Sequence, residues 1–168
     1  MITPIRYDKN GNILNLERGG HIDGGFTSFG LMDNLKYTYA KNDTSNQLIK
    51  VEELVGGSAV TGFKDGPNTG YDYTYDVNGN MKTDANKGIT NITYNYLNLP
   101  TQVAINGKNI DYIYDATGVK LEKRVNEYSE PSVTQYAGNY IYKNIGGGAN
   151  FELQFFNHPE GYVQNNNG

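Results

Sequence analysis

Large side chains recur at every second position over short stretches, and each stretch halts at a cluster of Asp, Asn and Gly. In "YDYTYDVNGN" Tyr71, Tyr73 and Tyr75 alternate with polar residues, which places them on one face of an extended strand. Ile110, Tyr112 and Tyr114 do the same ahead of "DATG". On the return run Val119, Leu121 and Val125 share a face, with Lys120, Glu122 and Arg124 on the other. Phe151, Leu153 and Phe155 form a further alternating set. "VAINGKNIDYIYD" sets Asn106-Gly107 between two alternating arms, the strongest hairpin signal in the chain. "NQLIKVEELV" suits a helix or a strand ending at Gly56-Gly57 and is read as strand. The tracts Gly19 to Gly30 and Gly56 to Gly70 read as glycine-rich loops or irregular hairpins, and "NIGGGANF" as a hairpin loop. No long helix is supported. The pattern predicts an all-β chain of consecutive antiparallel β-hairpins in a curved, twisted sheet.

The hairpins repeat. The unit around Tyr73, Tyr75, Asp76 and Gly79 returns as "YDKNGN" at Tyr7, Asp8 and Gly11, and as "YIYDATGVKL" at Tyr112, Tyr114, Asp115 and Gly118. Weaker copies are "YTYAKND", where Ala40 replaces the Asp, and "ITYNYLNLP", where Tyr94 and Asn95 lead into the turn. Units end near Tyr7, Tyr39, Tyr75, Tyr94 and Tyr114, with a spacing that settles to about twenty residues in the second half. Asp suits the first position of a type I turn, and Gly the left-handed fourth position of a bulged hairpin. Asn98 stands at that fourth position in the Tyr94 copy, and Asn tolerates it better than other non-glycine residues. The first unit begins at Tyr7 with hardly any lead-in, which points to an internal piece of a longer polypeptide. Residues 1–163 form the repeat segment and 164–168 a polar tail.

Composition narrows the function classes. Hydrophobic residues make up 37%, and 21 glycines fit many turns and short strands. The absence of cysteine excludes disulfides and thiolate metal sites. A net charge of −4 supplies no basic patch for a phosphate backbone, so nucleic acid is not an expected partner. No apolar run approaches the ~20 residues that cross a bilayer as a helix, so membrane insertion is not expected.

The unit Tyr-Asp-x-x-Gly-Asn with an apolar return strand resembles the YD repeat of RHS proteins, over Tyr7 to about Val163. "ITYNYLNLPTQV", "YIYDATGVKLEKRV", "YAGNYIYKN" and "LQFFNHPEGYV" are similar to the last repeats of Bacteroidetes RHS-type proteins, just upstream of the RHS-associated core. The resemblance implies a β-ribbon that spirals into a hollow shell around a polypeptide cargo, often a toxin. It also implies a bacterial extracellular or cell-surface location. The implied partners are the rest of the polypeptide or the cargo, and edge-to-edge self-association is a further expectation. The cleavage chemistry of such proteins lies in the core region, so no catalytic residue carries over. An alternative is an adhesion or carbohydrate- or protein-binding module that uses the repeat tyrosines.

Each candidate site has a plainer explanation. Counted from Asp76, glycine is fourth and the twelfth residue is Lys87, whereas a calcium-binding EF-hand loop needs glycine sixth and glutamate twelfth. Turn chemistry explains the Asp without a metal. The tyrosines could stack on sugars, but their recurrence at one place in each unit favours a cross-strand ladder. Glu52 and Glu53 point to opposite strand faces and make no acid/base pair. His21 and His158 lack partners at metal-ligand spacing, and Gly146-Gly147-Gly148 lacks the Lys-Ser/Thr of a phosphate loop. No cofactor or catalytic group is expected.

Overall fold

The computed structural model describes residues 5–54, 58, 60–67, 69–127 and 130–164. Within these the chain is all-β, apart from one helical turn, and divides into two compact units at Gly88. In the first unit β1 (Arg6–Tyr7), β2 (Ile13–His21), β3 (Phe29–Tyr39) and β4 (Leu48–Glu53) form an antiparallel sheet in sequence order. The helical turn α1 (Ala40–Asp43) joins β3 to β4, at the copy whose Asp has become Ala40. β5 (Tyr73–Tyr75) and β6 (Met81–Asp84) add a hairpin.

The second unit is a run of antiparallel strands, each paired with the next. They are β7 (Ile89–Tyr94), β8 (Pro100–Ile105), β9 (Lys108–Tyr114), β10 (Lys120–Asn126), β11 (Ser132–Ala137), β12 (Tyr140–Ile145), β13 (Glu152–His158) and β14 (Gly161–Gln164). The segment "NQLIKVEELV" is therefore a strand, although Gly56-Gly57 lie outside the described residues. Gln164, assigned to the tail from sequence, is the last residue of β14, and 165–168 lie outside the described residues.

One irregularity recurs in all the repeat units. The tyrosine that ends each outgoing strand pairs with the first residue of the return strand, and the next pair then skips a residue. Tyr7 faces Ile13 while Arg6 faces Asn15, leaving Leu14 extra. Ile49, Lys82, Thr101 and Leu121 are the corresponding extra residues behind Tyr39, Tyr75, Tyr94 and Tyr114. A bulge at a fixed place bends the strand and sharpens its right-handed twist once per unit.

These bulges overturn two alternation readings. Leu121 is the bulged residue, so the face assigned to Val119, Leu121 and Val125 is broken at its centre, and Val119 and Leu121 are 57% and 41% exposed. A similar slip at Gln154 sets Leu153 opposite Tyr142 but Phe155 opposite Ile141, which puts Leu153 and Phe155 on different faces. Tyr71 also departs from expectation. It precedes β5 and is 69% exposed, while its neighbour Asp72 turns inward.

The buried apolar core among the described residues is small, comprising Leu35, Tyr39 and Val51. The most deeply buried side chains are carboxylates, those of Asp33 and Asp72. Asp33 faces Arg18 across the β2–β3 ladder and receives its guanidinium at 2.5–2.6 Å, while its other oxygen accepts the N–H of Phe63 at 2.6 Å. A buried carboxylate is tolerable only when so paired. The loop supplying Phe63 approaches closely. A Cβ on Gly62 would lie 2.4 Å from the Met32 carbonyl oxygen and 2.7 Å from Asp33 Oδ1.

Candidate functional site

The repeat turns are built the same way. Asp76 Oδ1 accepts the backbone N–H groups of Asn78 and Asn80 at 2.9 and 2.8 Å, and Oδ2 accepts the Asn80 side-chain amide at 3.0 Å. Asp8 makes the matching bonds to Asn10 and Asn12, and Asp115 those to Thr117 and Val119. Asn95 does this with its amide oxygen, taking the N–H groups of Leu97 and Leu99 at 2.9 and 3.0 Å. Gly11, Gly79 and Gly118 take φ of 84°, 84° and 90°, and Asn98 takes 58° in the same place. The Asn80 side chain, backed by backbone N–H groups, holds the Asp76 carboxyl below its ordinary range. For Asp115 the Thr117 hydroxyl leads the same effect.

Three of the turns are tied to the following unit. The residue just after the turn offers a carbonyl, and the end-of-strand tyrosine of the next unit donates its hydroxyl to it. Tyr39 donates to Ile13 at 3.0 Å, Tyr75 to Leu48 at 2.7 Å and Tyr114 to Pro100 at 3.0 Å. In each case the acceptor follows the residue whose carbonyl closes the preceding turn, namely Asn12, Gln47 and Leu99. Burial pushes the phenols of Tyr75 and Tyr114 up, in keeping with hydroxyls that stay protonated donors. Tyr7, in the first unit, is 56% exposed. Tyr112 serves a different purpose, with Lys120 Nζ 4.7 Å above its ring. Lys120 also lies 5.9 Å from the ring of Tyr136, an arrangement that attracts the cation to both rings.

A cavity of the first unit opens beside these tyrosines. It encloses about 800 Å³ between the start of β4 and β5, with Tyr39, Tyr71, Tyr73 and Tyr75 on its walls and Gln47 and Lys41 among its polar groups. Tyr39 and Tyr75 have committed their hydroxyls to the backbone, which leaves the exposed ring of Tyr71 as the open aromatic surface. Just before β5 the Asp72 N–H donates to the Ile49 carbonyl of β4 at 2.9 Å.

Sequence reasoning missed the buried acids Asp33, Asp72 and Asp84. A signal existed for Asp33, which alternates with Leu31 and Leu35 in "LMDNL" and so stands at a position that an apolar residue would normally take. Asp84 Oδ1 accepts the Lys87 N–H at 3.1 Å. Glu52 pairs with Lys50 at 2.8 Å, while Glu53 Oε1 accepts the Asn34 N–H at 2.8 Å. His21 lies edge-on between Phe26 and Phe29, and His158 Nδ1 accepts the Glu160 N–H at 3.3 Å. Among the described residues no three His, Asp or Glu side chains are grouped to hold a metal, and no helix is long and apolar enough to cross a membrane. Gly146 and Gly147 take φ of 81° and 71° in the loop after β12. Comparison with family models and with curated proteins gives no match for this chain.

Proposed function

We propose that the chain is a non-catalytic wall segment of an RHS-type repeat shell that encloses a polypeptide cargo. The observation that carries this reading is the repeated joint: a side-chain-braced turn, a bulge one residue into the return strand, and a tyrosine hydroxyl from the next unit. Such a joint adds a hairpin at a time with a fixed bend, which is how a ribbon built from repeats propagates curvature. In each turn one carboxylate oxygen accepts two backbone N–H groups of its own turn, which favours a constructional role for the recurring acidic residues. Limited proteolysis of the complete gene product tests the reading. A fragment that resists protease until the repeat region is unfolded supports containment, and cleavage of all parts at equal rates overturns it.

A second reading rests on the cavity beside Tyr71. An exposed ring above a polar-rimmed space of about 800 Å³ suits stacking of a short saccharide, whose apolar face meets the ring while its hydroxyls meet polar groups such as Gln47. This would make the segment an adhesion module. Saturation-transfer NMR with cellotriose and maltotriose decides it: transfer that Tyr71→Ala abolishes supports the module, and no transfer from either sugar removes it.

A further inference from the structure

Two repeat units carry the same tyrosine pair and use it differently. Tyr112 and Tyr114 close β9, and Lys120, the residue opposite Tyr114, holds its Nζ 4.7 Å from the ring centre of Tyr112. Tyr73 and Tyr75 close β5 in the same register, with Met81 opposite Tyr75 and the bulge at Lys82 directly after it. Methionine therefore stands where the later unit has lysine, and among the described residues no side-chain cation lies over Tyr73. The first tyrosine of the pair seats a cation in one unit and is offered none by the chain in the other.

In the earlier unit this ring borders open space. Tyr71, Tyr73 and Tyr75 line the cavity of about 800 Å³, and among the described residues these three make no ring–ring contact. The cavity suits a cation that has no hydrogen to donate. Tyr75 gives its hydroxyl to the Leu48 carbonyl, and the Tyr73 hydroxyl accepts the Asn86 amide at 3.5 Å, so both tyrosines present ring surface. Burial raises the Tyr73 phenol, and the carboxylates of Asp84 and Asp72 raise it further. A field that disfavours the phenolate favours a cation at the ring. Asp72 is met by neutral donors, the Val51 N–H and the Asn86 amide, which leave its charge in place. Lys41 also lines the cavity, held at a φ of 55° that lysine rarely adopts. It would repel a bare cation and attract an anionic group.

We propose that this cavity binds a phosphocholine group, with the quaternary ammonium against the rings of Tyr71, Tyr73 and Tyr75 and the phosphate at Lys41. The trimethylammonium takes the part that Lys120 plays in the later unit. A zwitterion meets both the acidic surroundings of Tyr73 and the lysine on the wall. The proposal rests on the saccharide reading only in taking the cavity as a binding site, and it names a different ligand.

Isothermal titration of the chain with phosphocholine should give a dissociation constant on the order of 1 mM. Choline chloride should bind about 5-fold more weakly, and 3,3-dimethylbutanol, its uncharged isostere, should not bind. Met81→Lys copies Lys120 and should put an ammonium of the chain on the ring, weakening phosphocholine at least about 10-fold with unchanged circular dichroism. Lys41→Gln should lower the affinity for phosphocholine to that for choline. Equal binding of choline and dimethylbutanol overturns the proposal, as does an unchanged affinity in Met81→Lys or the absence of phosphocholine binding. Saturation transfer to maltotriose in a chain that ignores phosphocholine would remove this proposal and leave the saccharide reading standing. Phosphocholine binding without transfer to either sugar would do the reverse. Phosphatidylcholine vesicles that sediment the chain and release it to free phosphocholine support the site and assign a lipid headgroup. Binding of phosphocholine without sedimentation supports it and assigns a soluble or polymer-borne group.

Discussion

The carboxylate of Asp72 accepts the backbone N–H of Val51 at 2.8 Å, so a side chain 21 residues away fills the place of a neighbouring strand on β4. The same oxygen takes the side-chain amide of Asn86 at 3.0 Å. Asp72 is 1% exposed and Val51 3%, so the Val51 N–H has no water within reach if the acceptor is removed. Asp72→Ala should therefore destabilise the fold by about 1–3 kcal/mol for this buried donor left unpaired, and Asp72→Asn by less because its amide oxygen still accepts. Urea unfolding of the two variants gives the comparison. Equal midpoints for Asp72→Ala and the parent chain would show that the edge does not need this cap.

Tyrosine hydroxyls can be removed one at a time. Tyr75→Phe and Tyr114→Phe each delete a bond between repeat units and should cost about 0.5–1.5 kcal/mol. Tyr71→Phe alters only an exposed ring and should stay within about 0.5 kcal/mol. Thermal melts that rank all three alike would contradict the joint described for the repeats.

Glycines separate by the reason each is needed. Nothing lies within 4 Å of a Cβ on Gly79, so Gly79→Ala should cost only the left-handed backbone, about 1–2 kcal/mol. Gly62→Ala meets backbone at 2.4 Å and should cost about 1–3 kcal/mol or more. Gly148→Ala, whose nearest neighbour is 3.9 Å away, is the neutral control, within about 0.5 kcal/mol. Denaturation midpoints should be highest for Gly148→Ala, lower for Gly79→Ala and lowest for Gly62→Ala.

Acid should loosen the turns in a definable window. The Asp76 and Asp115 carboxyls lie below 3.8 in the folded chain, so their contribution is present above about pH 4 and is lost as pH falls through their folded values. Asp115→Asn copies the turn already made by Asn95, which has no proton to take up. It should keep the fold at neutral pH and flatten the decline in melting temperature below about pH 4. A decline as steep as in the parent would place the acid sensitivity outside this turn.

The tyrosine alternation, the Asp and Gly of each turn and the Asn-Gly hairpin were legible from the chain alone, because strand faces and turn geometry are set by residues a few positions apart. Asn98 illustrates this. Its φ of 58° is what the place of glycine in that turn demands. The number and places of the strong repeats followed from the same local chemistry.

What the chain alone could not decide was set by partners distant in sequence. The bulges at Leu121 and Gln154 depend on how two strands slide past each other, and each slip reverses the face of every residue beyond it. Tyr71, Tyr73 and Tyr75 alternate identically, yet only tertiary packing separates the exposed ring of Tyr71 from the hydroxyl that Tyr75 commits to Leu48. Asp33 and Asp72 read as surface residues because a carboxylate is costly to bury. They are buried because Arg18 with the Phe63 N–H, and the Val51 N–H with Asn86, bring them the donors that water would otherwise provide.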